Sequence, residues 1–473
     1  MEIEHRKTVN TIAGVTFSNI TTIIAGIIIG FIIPKVTEVE GYGFYKTFTL
    51  YVSYAGMFSL GIIDGIVLEY GGVDYNDYDK PFFRSIFRWY SLVHLCWVVL
   101  LITISFFFRD ANYSFIIIMI AIYMYFGNMV GYFQQISQIT QRFREFSTAK
   151  MIQSGMKVLG GLIMIAVFFL TKNLVDYRLY VVLTTLGLVI VTAGYVIIYK
   201  QIVIGEADSL TRTKDDVIKF IKIGFPLLSA NLCSTLILTI DRQFVNLLFP
   251  NSEYAVYAFA YNLLSLVTVA TSAISTVLYP VLKRTTEETM QKNYSNLISI
   301  ILVFIYGALL AYFPLCKFIE WFLPKYTGAL PIFRIIFPGL AVSSAVQVVM
   351  HNYYKALGKN IVYFKKSIII LLISTAANAI AFLLFRSTVS ISIASILTLV
   401  IWYLYVEQFF VQNYKYNRWR NFIYMIVMMI AFYLITIIHN WIIAGLLYFL
   451  AFVLCSVCME RRVFTFAKEL IKK

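Results

Sequence analysis

Of the 473 residues, 60 % are hydrophobic and 13 % charged, and the mean hydropathy is +0.79. A soluble globular domain carries about a quarter charged residues, so a single water-facing core is excluded and a hydrocarbon solvent is implied. The net charge of +15 lies in short loops between apolar runs, not in a basic segment interleaved with aromatics. That excludes nucleic acid as a partner and points to the lipid bilayer and its anionic cytoplasmic leaflet.

Fourteen apolar runs are long enough to span a bilayer as α-helices. The first, residues 11–33, follows Arg6 and Lys7. It is too long for a signal-peptide core and lacks a small-residue cleavage site, so a retained helix is expected. Runs at 47–68, 89–108, 113–137, 149–170, 179–203 and 220–249 follow. The second seven lie at 254–280, 297–322, 330–357, 362–385, 390–411, 422–438 and 441–459, the last two separated by His439 and Asn440 alone. Pro338 is expected to kink the tenth helix. With the N-terminus inside, most of the 39 Lys and Arg residues fall in alternate loops, which places both termini in the cytoplasm.

The longest loop, near 205–219, is polar and rich in both signs of charge. It divides the chain into a six-helix lobe (1–204), a linker (205–219), a second six-helix lobe (220–415) and an additional helix pair with a tail (416–473). The lobes share a weak repeat: Asn19, Pro34, Tyr42 and Phe44 correspond to Asn231, Pro250, Tyr257 and Phe259, with an offset that drifts and so requires gapping. Parallel lobes of this kind imply a transporter with its site where the two repeats meet.

Asp241 and Arg242 lie within the seventh run. An ionisable residue there costs several kcal/mol unless it meets a cavity or a partner, so the pair is the leading candidate for function, against an internal ion pair or snorkelling. Asn231, Thr235, Thr239, Arg242 and Asn246 recur at helical spacing, as do Tyr257, Tyr261, Ser265, Thr268, Ser272, Ser275 and Tyr279 in the eighth run. Two such stripes suggest a wetted cavity, whereas any single Ser or Thr is packing glue. Asn19, Thr22, Gly26 and Gly30 make a softer stripe in the first helix, and Lys46, Thr49, Ser53 and Gly56 another in the second. Lys46 is either a second positive charge opposite Arg242 or an interfacial lysine. Lys157 is expected to snorkel toward the cytoplasmic side, and His94 to be a hydrogen-bonded core residue. Asp64, Glu69 and Glu407 are expected to be solvated at cytoplasmic helix ends.

Cys96, Cys233, Cys316, Cys455 and Cys458 are scattered through apolar runs and form neither a disulfide framework nor a zinc site. No HExxH, GxSxG, Walker or dinucleotide motif is present. The expectation is no catalytic residue, no metal and no cofactor. A proton or sodium gradient, a partner protein or the substrate gradient remains as the energy source.

Several segments resemble one family. Ile240-Asp241-Arg242 followed by Glu253 through Tyr261 is similar to that family's Asp-Arg and Gly-x-Tyr stretch. Tyr279-Pro280-Val281-Leu282, Leu323-Pro324-Lys325-Tyr326 with Ala329, Ala356-Leu357-Gly358-Lys359, Asn378, and Gly61 with Gly65 fall where its other motifs do. The chain thereby resembles the Wzx-type O-antigen and capsule flippases of the oligosaccharidyl-lipid exporter superfamily, across nearly its whole length. It departs in having no charged residue within its first apolar run.

The resemblance implies an all-α, MATE-like fold of about fourteen transmembrane helices. It implies translocation of an undecaprenyl-pyrophosphate-linked oligosaccharide across the bacterial inner membrane by alternating access, alongside polysaccharide polymerase machinery. Arg242, Lys46, Asn231, Thr235, Asn246, Tyr257 and Tyr261 would contact substrate, with Asp241 neutralising Arg242 or binding a coupling ion. The alternatives are a MATE-type exporter of small cations, which Arg242 would repel, and a glycan polymerase.

Overall fold

The computed structural model describes residues 2–461 and 463, with side chains from Phe17 onward except six between 266 and 280, Pro280 among them. The Pro280 side chain and most of the C-terminal tail thus lie outside what is described.

Every described regular element is helical, as a lipid solvent requires when backbone groups must be satisfied within each segment. Eleven helical stretches are long and apolar enough to cross a membrane, and a bent pair, Val39–Ser59 with Ile62–Tyr70, makes a twelfth. The shorter apolar helix Trp419–Ile435 and the 33-residue helix Asn251–Lys283 correspond to the remaining two of the fourteen runs. The protein is a multi-pass α-helical membrane protein.

The chain divides into two compact units, Met1–Leu232 and Cys233–Lys473. In the first, α1 (Glu2–Val36) packs along α6 (Phe143–Thr171), α4 (Lys80–Ser105) along α5 (Ala111–Ile139), and α7 (Tyr177–Ile198) against both α5 and α6. Side-chain caps start several of these helices. The Asp110 carboxylate accepts from Asn112 N at 2.7 Å and that of Asp176 from Arg178 N at 2.9 Å. The core between α4, α5 and α7 is aromatic: Tyr90, Tyr132, Phe133, Tyr195 and Tyr199 are buried together. Outward faces carry exposed Leu, Ile and Phe, such as Leu159, Leu162 and Phe169 on α6, as expected of surfaces meeting lipid tails.

The second run is not one straight helix. α2 (Val39–Val52) gives way to a 3₁₀ turn, and α3 (Ile62–Tyr70) departs at 55°. Leu60 and Gly61 take positive φ values of 52° and 84° at the break. Only glycine adopts that geometry freely, and a Cβ on Gly61 would lie 2.6 Å from Phe225 N. Gly65 and Gly224 complete the same seam: a Cβ on Gly65 would meet Phe220 O at 2.2 Å, and one on Gly224 would meet Gly61 O at 2.0 Å. Small residues here allow two backbones to touch. Lys219 Nζ closes the seam's end with Glu69 Oε1 at 2.6 Å.

Only the first five residues of the stretch 205–219 are loop. α8 (Leu210–Leu248) begins within it, with the Ser209 hydroxyl accepting from Arg212 N at 3.3 Å. Its mixed charges read as linker in sequence, but they also suit an exposed first helical turn. The boundary between the units lies further along, inside α8.

In the second unit, α9 (Asn251–Lys283) packs on α12 (Ala329–Ser344), which packs on α15 (Thr388–Tyr414). α10 (Glu287–Ala308) and α11 (Tyr312–Phe322) precede α12. α13 (His351–Ala356) and α14 (Asn360–Phe385) follow it, and α16 (Trp419–Ile435) pairs with α17 (Trp441–Met459). Helix α12 continues past Pro338, and the irregular backbone comes later, as a π-helical stretch at Ala345–Met350.

Glu407 is not a solvated helix end. It is fully buried, and its Oε1 accepts from the Tyr403 hydroxyl at 2.8 Å and from the Tyr416 hydroxyl. Burial and the Glu407 carboxylate hold the Tyr416 phenol well above its ordinary pKa, so it remains a donor.

Candidate functional site

Arg242 and Asp241 stand near the end of the 39-residue α8. Asp241 is 2 % exposed, and both its oxygens are engaged. Oδ1 accepts from the Arg242 backbone N at 2.7 Å, and Oδ2 accepts from the Tyr257 hydroxyl at 2.7 Å and from the Tyr261 hydroxyl. The spacing of four residues puts both tyrosines on one face of α9, with ring centroids 5.5 Å apart. Two phenols and one amide thus neutralise a carboxylate that would be costly to bury alone.

The Arg242 guanidinium makes no ion pair with its neighbour. Its Nη2 donates to Leu238 O at 2.9 Å, and its plane lies 4.6 Å from the Tyr261 ring centroid. Nε is buried with no hydrogen-bond acceptor. Tyr261 therefore joins the pair, its hydroxyl on the carboxylate and its ring under the guanidinium, in a cation–π arrangement. The result is a half-buried cation outside any ion pair, its Nε buried and unsatisfied.

Of the expected site residues, this geometry brings together Arg242, Asp241, Tyr257 and Tyr261. The rest of the two stripes serves largely as packing. Thr239 Oγ1 donates to Thr235 O at 2.8 Å, Asn246 is buried, and Thr268 donates to Ser265 O. Ser275 accepts from Asn352 Nδ2 at 2.8 Å. Asn231 and Lys46 belong to the first unit. There Lys46 Nζ lies 5.2 Å and 5.6 Å from the Tyr42 and Tyr45 ring centroids. Asn378 is buried and donates to Ser374 O at 2.8 Å. His94 is buried, its Nδ1 2.7 Å from Tyr90 O, the core histidine the sequence led one to expect.

The sequence reading missed polar pairs elsewhere. Lys150 Nζ donates to Asn19 Oδ1 at 2.6 Å, and Thr22 and Ser154 share a 2.8 Å hydrogen bond. The spacing of Lys150, Ser154 and Lys157 on one helix was the available signal. Arg420 pairs at 2.5 Å with the buried Glu460. Among the described residues, no cluster of His, Cys, Asp and Glu could hold a metal ion.

Comparisons with known proteins agree with this architecture. The model of the family described as "Polysaccharide biosynthesis protein" matches residues 9–286, while no curated protein sequence matches significantly. Lipid II flippase MurJ in an inward closed conformation is similar in fold, with 15 % identity and a TM-score of 0.73 over 96 % of this chain and 100 % of that one. The Vibrio cholerae MATE transporter VcmN gives 13 % identity and 0.60 over 87 % and 97 %. An inward-facing multidrug resistance MATE family transporter of the MOP superfamily gives 15 % and 0.56 over 84 % and 95 %. With a family match over more than half its length, on the fold that these structures share, the chain belongs to the polysaccharide biosynthesis protein family.

Proposed function

We propose that this protein moves an undecaprenyl-pyrophosphate-linked oligosaccharide from the inner to the outer leaflet of the bacterial cytoplasmic membrane by alternating access, with both termini in the cytoplasm. Membership of a polysaccharide biosynthesis family on a fold shared with a lipid II flippase carries this reading. Arg242 contacts the pyrophosphate, because a half-buried guanidinium in a spanning helix and in no ion pair suits an anionic ligand. Asp241 acts through Tyr261, fixing the ring on which Arg242 rests. Half-buried Thr235 contributes polar surface for the sugars in the second unit and Lys46 and Asn231 in the first, with Asn246 and Tyr257 packed behind, while the prenyl chain stays in lipid. The two compact units, Met1–Leu232 and Cys233–Lys473, act as the moving lobes, in place of the 1–204 and 220–415 read from the sequence.

The test is a deletion strain in which lipid-linked oligosaccharides are extracted and surface glycan is assayed. Complete repeats held on the inner leaflet, together with loss of surface glycan, support the reading. Unchanged surface glycan overturns it and leaves a MATE-type exporter of small molecules. That alternative draws on the fold of the MATE transporters, but an arginine in the path repels cationic cargo.

A further inference from the structure

At one end of the first unit, three chain segments enclose a cavity of about 430 Å³. The link between α3 and α4 supplies Asp74 and Asn76. The turn between α5 and α6 supplies Thr140 and Arg142, and the turn after α7 supplies Lys200 and Gln201. The volume falls within the ~300–1,000 Å³ of small-molecule sites. On the topology proposed above, this end faces the cytoplasm. The walls are tied to one another. The Arg142 guanidinium lies over the rings of Tyr75 and Tyr199, which joins the three segments. Lys80 donates to Tyr75 O, and Arg84 Nε donates to Gln201 O at 2.9 Å. Arg142 N donates back to Ser137 O at 2.7 Å across Gln141, whose φ is 58°. These contacts fix the shape of the cavity, and a site fixed in advance loses little entropy on binding.

The charged groups that line the cavity are not spent on one another. Glu145 takes Nε and Nη2 of Arg142 on a single oxygen, at 3.1 Å and 2.9 Å, which leaves Nη1 without a partner among the described residues. The exposed Lys200 ammonium has none either, and the exposed Asp74 carboxylate makes neither a cap bond to its own turn nor an ion pair. Two cations and one acid therefore line one cavity that no ion pair closes. The side-chain amides of Asn76 and Gln201 add donors and acceptors. A ligand that satisfies this set carries an anionic group for Arg142 and Lys200 and hydroxyl donors for Asp74. Inorganic phosphate alone leaves the acid unmet. The lining holds a single aliphatic side chain, Ile198, which gives an acyl or prenyl chain nothing to lie against.

We propose that this cavity binds a water-soluble sugar phosphate, with Arg142 and Lys200 on the phosphate and Asp74 accepting from the sugar hydroxyls. The site lies wholly within the first unit and depends neither on Arg242 nor on what the protein transports, so it stands or falls apart from the flippase reading.

The experiment is a calorimetric titration of the full chain in phosphatidylcholine nanodiscs. The probes are glucose 1-phosphate and N-acetylglucosamine 1-phosphate, with inorganic phosphate and glucose as controls. The expected result is that a sugar phosphate binds at least about tenfold more tightly than phosphate or glucose, because only it engages both ends of the cavity. Lys200→Ala and Asp74→Ala each weaken binding roughly tenfold, about the worth of one charge-assisted hydrogen bond. Both side chains are exposed, so the variants fold. Lys172→Ala, beyond the opposite end of α6, leaves the affinity unchanged. No binding of either sugar phosphate, or affinity no greater than that of inorganic phosphate, overturns the site. Full affinity in either the Lys200→Ala or the Asp74→Ala protein overturns it as well. Loss of binding in phosphatidylglycerol nanodiscs also overturns it, and makes a lipid headgroup the occupant.

Discussion

Asp241 and Arg242 are adjacent in sequence yet their side chains do not pair. The carboxylate takes the hydroxyls of Tyr257 and Tyr261, while the guanidinium lies over the Tyr261 ring and donates to Leu238 O. An ion pair would have spent the arginine's charge internally. Tyr261 instead satisfies the acid and leaves the base outside an ion pair. Asp241→Ala should therefore act mainly on folding. It leaves two phenols on α9 without an acceptor, at a cost of about 1–3 kcal/mol, read as a lower melting temperature in detergent. Arg242→Ala should melt near the wild type and lose export.

Tyr261→Phe separates the two roles. The ring remains under Arg242, and Asp241 keeps Tyr257 and the Arg242 amide. Stability should fall by ~1 kcal/mol and export should be retained. Tyr261→Leu removes the ring as well and should lower export. Equal export by the two variants would show that the ring does not position Arg242.

The glycine seam between α3 and α8 makes a sharper stability prediction. A leucine at position 65 would place its Cβ 2.2 Å from Phe220 O, which no side-chain rotation relieves. Gly65→Leu should force the backbones apart, break the Lys219–Glu69 pair and cost at least ~1–3 kcal/mol. Gly26→Ala, with open space around it, should be neutral in the same melting assay.

Glu407 offers a test of a buried carboxylate. Its Oε1 takes both phenolic bonds, while Oε2 is buried and takes none. Glu407→Gln keeps the acceptor and removes the charge, so it should be at least as stable as wild type. Glu407→Ala strands the Tyr403 and Tyr416 hydroxyls and should cost ~2 kcal/mol. Thermal unfolding of the two variants decides between a hydrogen-bonding role and a requirement for charge.

Arg142 anchors the end of the first unit that carries the aromatic core. It lies 4.6 Å from the Tyr75 ring centroid and 4.8 Å from that of Tyr199, and pairs with Glu145 at 2.9 Å. Burial pushes the Tyr199 phenol up to about 12, so it stays neutral and the stack keeps its form across physiological pH. Arg142→Lys replaces a planar cation with a point charge and should destabilise by ~1 kcal/mol, measurable by melting at pH 7.

The sequence alone determined that this chain is a bundle of spanning helices, and roughly how many. Runs of apolar residues in lipid must close their backbone hydrogen bonds locally, and only a helix does so within one segment. It also picked out Asp241, Arg242, Tyr257 and Tyr261, because charge in an apolar run is rare and helical spacing marks a shared face. Tertiary packing decided what those groups do, because that depends on how each helix is rotated against its neighbours. Rotation put two tyrosines on Asp241 where an ion pair with Arg242 was the simpler expectation. It set Lys157 on the side of α6 opposite Leu159 and Leu162 and folded Tyr416 back over Glu407, burying an acid that stood near a helix end. The break at Gly61 likewise followed from a contact with Phe225 more than 160 residues away, which no local pattern of hydropathy encodes.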